Sequence, residues 1–261
     1  MLLAWLKEFW EYRELFYFLV WRDVKIRYKQ TVLGAAWAII QPFFMMIVFT
    51  VFFGKMAKMP SDGVPYPVFS YTALLPWTYF STALANSGNS LLGGANLVRK
   101  VYFPRAALPA ASALGGLVDF AIAFVLLFGL MVYYGITPGF GLLLWPVLMI
   151  PLVLLALGIG MILASLNVKY RDIKYAIPFL IQTLLFVTPI IYPTSIVPER
   201  FRLLLSLNPL TGLVDAFRAS ALPGRTVDWR LLGLSVAISL VILAAGALYF
   251  RKTEREFADV I

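Results

Sequence analysis

The sequence has no cysteine and no histidine in 261 residues. Disulfides, thiol nucleophiles, His-ligated metals and Ser-His-Asp triads are excluded as chemistry. The missing cysteine says nothing about redox compartment. Charge is also scarce. Charged residues make up 13%, against about 25% in an average soluble domain. Hydrophobic residues make up 61%, and the mean hydropathy is +0.85. This composition excludes disorder and an ordinary cytosolic domain. At about 20 apolar residues per crossing, the length holds at most roughly seven or eight spans. The chain therefore reads as one compact membrane domain over 1–261. Acidic residues are few as well, 13 against 22 Lys and Arg, for a net charge of +9. In a soluble protein that balance points to nucleic acid. In a membrane protein it is topology: Lys and Arg gather on the cytoplasmic side and meet anionic lipid heads. No nucleic-acid partner is expected; membrane lipids are.

The first twenty residues do not read as a signal peptide, because Lys7, Glu8, Glu11, Arg13 and Glu14 leave no uncharged apolar region. At helical period Leu2, Trp5, Leu6, Phe9, Trp10 and Phe16 fall on one side, and Lys7, Glu8, Glu11 and Glu14 on the other. Residues 1–30 are thus expected to form an amphipathic interfacial helix and a basic lead-in to the membrane. Packing of that face on another subunit is the competing reading.

Six uncharged or nearly uncharged stretches follow. They are 33–54, 68–95, 106–134, 140–167, 176–193 and 231–250. The second is broken by Pro76, the third contains Asp119, and the fourth has a small-residue face at Gly158 and Gly160. The longest connection, 194–230, is interrupted by Pro198, Pro209, Pro223 and Gly224. It still holds apolar pieces at 203–207 and 210–217, so short amphipathic or re-entrant helices fit it better than a plain loop. The expected fold is an all-α integral membrane protein with six transmembrane helices. Of the 22 Lys and Arg, fifteen fall in the N-terminal segment, the second-to-third and fourth-to-fifth connectors and the C-terminal tail; seven fall on the other side. Both termini are therefore expected to be cytoplasmic.

Catalytic machinery is sparse. The Gly-rich stretch 88–94 lacks the Gly-Lys-Ser/Thr ending of a phosphate loop. Asp119 is the one formal charge well inside a span. It reads either as structural, hydrogen-bonded within the bundle, or as functional, as intramembrane charges often are. Two spans carry polar-aromatic stripes. In the first, Trp37, Gln41, Phe44 and Val48 recur at helical steps; in the fifth, Phe179, Gln182 and Phe186 do. Gln in hydrocarbon needs a partner. A conduit for a hydroxyl-rich chain would supply one, with aromatic rings as platforms for sugar faces. Helix packing with a Gln cross-bond is the alternative. Two basic-aromatic connectors, 96–105 and VKYRDIKY at 168–175, suit either interfacial anchoring or docking of a cytoplasmic partner.

Three stretches carry a resemblance. WRDVKIRYKQTVLGAAWAIIQP at 21–42 resembles the lead into the first span of polysaccharide-exporting ABC transporter permeases. LVRKVYFPR at 97–105 is similar to that family's cytoplasmic connector after the second span. NPLTGLVDAFR at 208–218 is similar to its segment before the last span. Order, length and span number agree over essentially the whole chain. O-antigen exporters fit best; capsule and teichoic-acid exporters share the motifs.

The resemblance implies a homodimer paired with two copies of a separate cytoplasmic ABC ATPase. This chain would then be a transporter subunit, not an enzyme. It would bind no cofactor itself, with ATP and Mg²⁺ held by the partner. The cargo implied is an undecaprenyl-linked polysaccharide moved across the bacterial inner membrane. Spans one and five of both protomers would line the conduit, through Trp37, Gln41, Phe44, Phe179, Gln182 and Phe186. The connector at 96–105 would dock the ATPase through Arg99, Lys100, Val101, Tyr102, Phe103 and Arg105. Residues 194–230 would hold the extracytoplasmic gate. Arg22, Lys25 and Lys29 recur at helical spacing where a lipid pyrophosphate would approach; ordinary positive-inside anchoring is the alternative. Rival functions are a lipid-modifying enzyme, which would need clustered carboxylates, and a secondary carrier, which would need coupling-ion ligands. Another lipid-like ABC cargo is a further alternative.

Overall fold

The computed structural model describes residues 11–29, 34–101, 103–170 and 172–257. Residues 1–10, with most of the expected amphipathic face, lie outside the described residues, as do Tyr102 and Arg171. The described residues are helical, and no strand occurs among them. In chain order the helices are α1 (Arg13–Tyr28), α2 (Ala36–Phe49), α3 (Tyr66–Gly93), α4 (Ala95–Lys100) and α5 (Ala107–Tyr133). They continue with α6 (Trp145–Lys169), α7 (Ile173–Val187), α8 (Glu199–Ser206), α9 (Pro209–Ala221) and α10 (Trp229–Thr253). A π-helical segment, Thr50–Met56, extends α2.

Among the described residues four helical stretches are long and apolar enough to cross a membrane: Ala36–Met56, Ala107–Tyr133, Phe140–Lys169 and Trp229–Thr253. The other two expected spans miss that measure for different reasons. α3 has 28 residues, about 42 Å of helix, but it is polar. Several of its polar groups bond across to neighbouring helices. Ser87 Oγ donates to the Pro109 carbonyl at 2.7 Å, and the Tyr71 and Tyr79 hydroxyls donate to Ala123 and Ala113 carbonyls at 2.9 and 3.1 Å. α3 is the central helix, packed by α2, α5, α6, α7 and α9, so its polarity costs little. α7 is apolar but has only 15 residues. That is about 22 Å, short of a hydrocarbon core of about 30 Å.

α7 stops at Val187 because Pro189 biases Thr188 to an extended conformation. The residues after it, Thr188 to Ile191, are irregular yet buried. Buried backbone needs partners. Arg218 on α9, itself fully buried, supplies most of them. It donates to the carbonyls of Pro189 and Ile190, and to that of Tyr192 at 3.3 Å. Its guanidinium stands over the Phe69 ring, 3.9 Å from the centroid. Tyr66 completes the set, donating to the Ile191 carbonyl at 2.8 Å. Asn208 both caps α9, accepting from Leu210 N–H, and donates to Thr188 Oγ1 at 3.0 Å.

A second polar knot lies beside this one. Thr194 donates to Asp215 at 3.1 Å, Ser195 to Asp62 at 2.9 Å, and Arg225 pairs with Asp62 and faces Asp215 at 3.8 Å. It ties the α2–α3 loop, the segment after α7, α9 and the α9–α10 loop together. Burial pushes the Asp215 carboxyl above the usual carboxylate range, opposed by the Thr194 hydrogen bond and the charge of Arg218.

Apolar packing forms two cores. The larger joins α3, α5, α6, α9 and the Ile190–Ile191 segment, with Trp145 against Phe124 and Phe217. The smaller lies where α3 ends and α5 begins. Leu19 of α1, Val98, Phe103, Leu108, Met161 and Phe250 meet there. α6 and α10 touch backbone to backbone. A Cβ on Gly246 would lie 2.2 Å from the Gly158 carbonyl oxygen, and one on Gly160 would lie 2.4 Å from Ser87 Cβ. The small-residue face expected at Gly158 and Gly160 thus packs on two different neighbours within this chain.

Two outcomes follow for stability, both read by unfolding in detergent micelles. Gly246→Ala is expected to cost about 1–3 kcal/mol through overpacking, while Gly233→Ala, with open space around it, leaves the midpoint in place. Arg218→Met strands the carbonyls of Pro189, Ile190 and Tyr192 and is expected to cost about 3 kcal/mol or more, while Arg251→Met, at an exposed position, costs almost nothing. Equal midpoints within either pair contradict these contacts.

Candidate transport and coupling sites

The two polar-aromatic stripes face outward from the bundle. Trp37, Gln41 and Val48 are exposed, and Phe44 is 61% exposed. On α7 the exposed set is Phe179 at 73%, Gln182 and Phe186; Ile177 is the residue that α7 buries. α2 packs on α3 and α5, and α7 on α3 and α6, so the core of this chain leaves both stripes uncovered. Trp37 and Gln41 have a second role as walls of a 180 Å³ cavity between the end of α1, the start of α2, α3 and α5.

The basic stretch of α1 divides between two faces. Arg22 bonds to Asp23, its Nη2 at 2.8 Å from Oδ1, and Asp23 Oδ2 accepts from Ser112 Oγ of α5 at 3.0 Å. Arg27 pairs with Asp119, and the Tyr28 hydroxyl donates to the same carboxylate. Burial, and then the bond to Asp119, raises the Tyr28 pKa, so the phenol stays protonated as a donor. Residues 23 to 28 of α1 therefore run beside 112 to 119 of α5. Lys25 and Lys29 point away and are exposed, with Lys25 Nζ 5.6 Å from the Trp21 ring centroid. Of the expected trio only Arg22 faces the bundle. Helical spacing placed Arg22, Lys25 and Lys29 on one side, but the docked side is set by Asp23 and Arg27, four residues apart. Arg27 was missed because its partner lies 92 residues away. The signal available was a lone intramembrane Asp, which needs a cation.

The connector at 96–105 also has two sides. Arg99, Lys100 and Val101 are exposed. Val98 and Phe103 are buried in the smaller core, Phe103 to 4% exposure. The Arg105 backbone N–H donates to Glu254 Oε1 at 3.1 Å, and its Nη1 to the Glu254 carbonyl. Phe103 and Arg105 thus hold the connector to the end of α10 rather than presenting an outward surface. In the other basic-aromatic connector, Tyr170 and Tyr175 are exposed, with Lys174 Nζ 4.7 Å from the Tyr175 ring centroid. Among the described residues no group of three or more acidic side chains is placed to hold a metal ion.

Comparison with known proteins gives this geometry a context. The ABC-2 type transporter family matches residues 14–222. The chain is 31% identical over 258 residues to the O-antigen export system permease protein RfbA of Myxococcus xanthus, covering 98% of both chains. It is 25% identical over 242 residues to the protein of the same name from Klebsiella pneumoniae, covering 92% of each. It is 25% identical over 238 residues to the polysialic acid transport protein KpsM of Escherichia coli, covering 89% of this chain and 91% of that one. A match across most of the length, on a helical bundle with four helices long and apolar enough to cross a membrane, carries one conclusion: the chain belongs to the ABC-2 type transporter family.

Proposed function

We propose that this chain is the membrane permease of an ATP-driven exporter that moves an undecaprenyl-linked polysaccharide, O-antigen foremost, across the bacterial inner membrane. The observation that carries this reading is the full-length likeness to O-antigen export permeases. A capsule-type cargo is the second reading, favoured by the likeness to polysialic acid transport proteins.

In this reading α3 and α7 complete a set of six spans. α3 crosses as a polar helix sheathed by its neighbours, and the irregular segment after α7 completes the fifth crossing inside protein. Both termini are cytoplasmic. α8 and α9 form the re-entrant gate region on the far side, braced by Arg218. Two protomers related by a two-fold axis supply a conduit that a single bundle lacks. The stripes of α2 and α7 are uncovered in one protomer, as walls completed by a second copy require. Gln41 and Gln182 then bond sugar hydroxyls, while Trp37, Phe44, Phe179 and Phe186 pass their apolar faces. ATP and Mg²⁺ belong to two copies of a cytoplasmic ATPase, and this chain holds no cofactor of its own. The ATPase seats against Arg99, Lys100 and Val101. Phe103 and Arg105 transmit the push to the smaller core, and through Leu19 to α1. The basic face of α1 meets the lipid pyrophosphate.

The test is a photo-crosslinking residue at Val101 of the tagged chain in its own membranes. A cytoplasmic ATPase is expected in the adduct, and one placed at buried Phe103 is expected to give little. An adduct with lipid alone contradicts the coupling role and reopens the carrier reading. For the conduit, Gln41→Leu with Gln182→Leu is expected to reduce export about tenfold or more in a folded, ATPase-bound complex, through loss of hydrogen bonds in a water-poor site. Unchanged export would leave the stripes as packing surfaces.

A further inference from the structure

α1 lies as a cover over the cleft between α3 and α5, and the space beneath has two unlike halves. One is a wide-mouthed space of 470 Å³ in which Arg22, Asp23, Asn86, Asn89 and Ser112 stand beside Ile26 and Leu108. The other, of 180 Å³, is lined by four aromatic residues, Tyr28, Trp37, Tyr79 and Phe120, with Gln41 and Thr82 among them. Arg27 is the residue common to both. On α3, Thr82 and Asn86 are one helical turn apart; on α5, Gly116 and Ser112 are. The halves are therefore neighbours along one cleft, and the Arg27–Asp119 ion pair stands at the junction between them.

The two halves ask for different chemistry on one ligand. Guanidinium groups on the polar side bind phosphate oxygens bidentately and are themselves positioned by carboxylates, Arg22 by Asp23 and Arg27 by Asp119. The aromatic side takes a hydroxylated ring, with flat faces for its C–H groups and Gln41 and Thr82 for its hydroxyls. A water needs about 10–15 Å³ of such space, so 180 Å³ admits roughly one sugar ring rather than a chain.

We propose that this cleft is a binding site for a sugar phosphate, with the phosphate at Arg22 and Arg27 and the first sugar ring in the aromatic half. Asp119 is then an internal anion that holds Arg27 until the phosphate replaces it; that replacement joins the two halves while Tyr28 and Asp23 keep α1 on α5. This rests on the polysaccharide-export reading and locates the head of the cargo within one protomer, with Trp37 and Gln41 shared between this cleft and the conduit. Lys25 and Lys29, exposed on the outer side of α1, lie outside the cleft.

The experiment uses the full chain in phosphatidylcholine nanodiscs. With no native cysteine, Asn86→Cys reports on the polar half and Ala38→Cys on the aromatic half through their rates of maleimide labelling. N-acetylglucosamine 1-phosphate is expected to slow both reporters, inorganic pyrophosphate only Asn86→Cys, and N-acetylglucosamine neither at the same concentration. Arg27→Gln is expected to weaken protection by the sugar phosphate about tenfold or more, and Asp119→Asn to strengthen it about tenfold, since it removes the competing anion. A structural role for the pair predicts weakening by both. Arg22→Gln repeats the loss at a position that does not carry the Asp119 tether, should either of the other variants fail to fold.

Labelling unaffected by the sugar phosphate, or weakening by both Arg27→Gln and Asp119→Asn, overturns the site. Full protection of both reporters by phosphatidylglycerol in the disc overturns the sugar half and leaves a phospholipid headgroup site. Failure of the export reading is seen separately, as the absence of an ATPase adduct at Val101.

Discussion

A buried arginine closes the weakest point of this bundle. α7 ends too early to span a bilayer as helix, and the residues after it carry bare carbonyls into a dry interior. Each such group would cost several kcal/mol if left alone in hydrocarbon. Arg218 gathers three of them with one planar, multiply donating side chain, and the Phe69 ring lies against its face. The arrangement fixes α9 against α3 and against the end of α7 at once. The larger core, the aromatic packing around Trp145 and the polar knot at Asp62, Asp215 and Arg225 are built around this junction.

The opposite end of the bundle depends on α1. Its apolar residues Leu15, Phe16 and Leu19 enter the smaller core with Val98 and Phe103 of the connector. Its polar side is fastened to α5 by Asp23, Arg27 and Tyr28. The connector, α1 and the first half of α5 are thereby one packed unit. Arg99–Val101 is the exposed face of this unit, and Asp119 lies at the inner end of its contacts.

Much of the helical layout was legible beforehand. Long uncharged runs mark α2, α5, α6 and α10, because hydrocarbon tolerates few charges whatever the fold. α3 was also visible as a run without charge, although its Ser, Thr and Asn residues make it too polar to pass as a free-standing span. The run expected as the fifth span, 176–193, is helical only as far as Val187, because an apolar composition does not distinguish helix from buried irregular backbone. The stripes at Trp37–Gln41–Phe44 and Phe179–Gln182–Phe186 were readable from spacing, and both are exposed. The connector was readable as a motif, but not the division of its side chains. Val101 and Phe103 are equally apolar in sequence, and only packing tells the exposed one from the buried one.

Composition and order alone determined the solvent this protein lives in, the rough number of its helices and the family to which it belongs. Those follow from local chemistry: the transfer cost of charges, the period of the helix, and motifs contiguous in sequence. Tertiary structure decided the pairings. Asp119 meets Arg27 across 92 positions, Arg218 meets the carbonyls 26 to 29 positions before it, and Arg105 meets Glu254 across 149. A lone charge in a membrane helix announces that a partner exists, because it is too costly to bury unpaired. Which residue answers is set by the register in which the helices dock, and that register comes from the packing of whole faces.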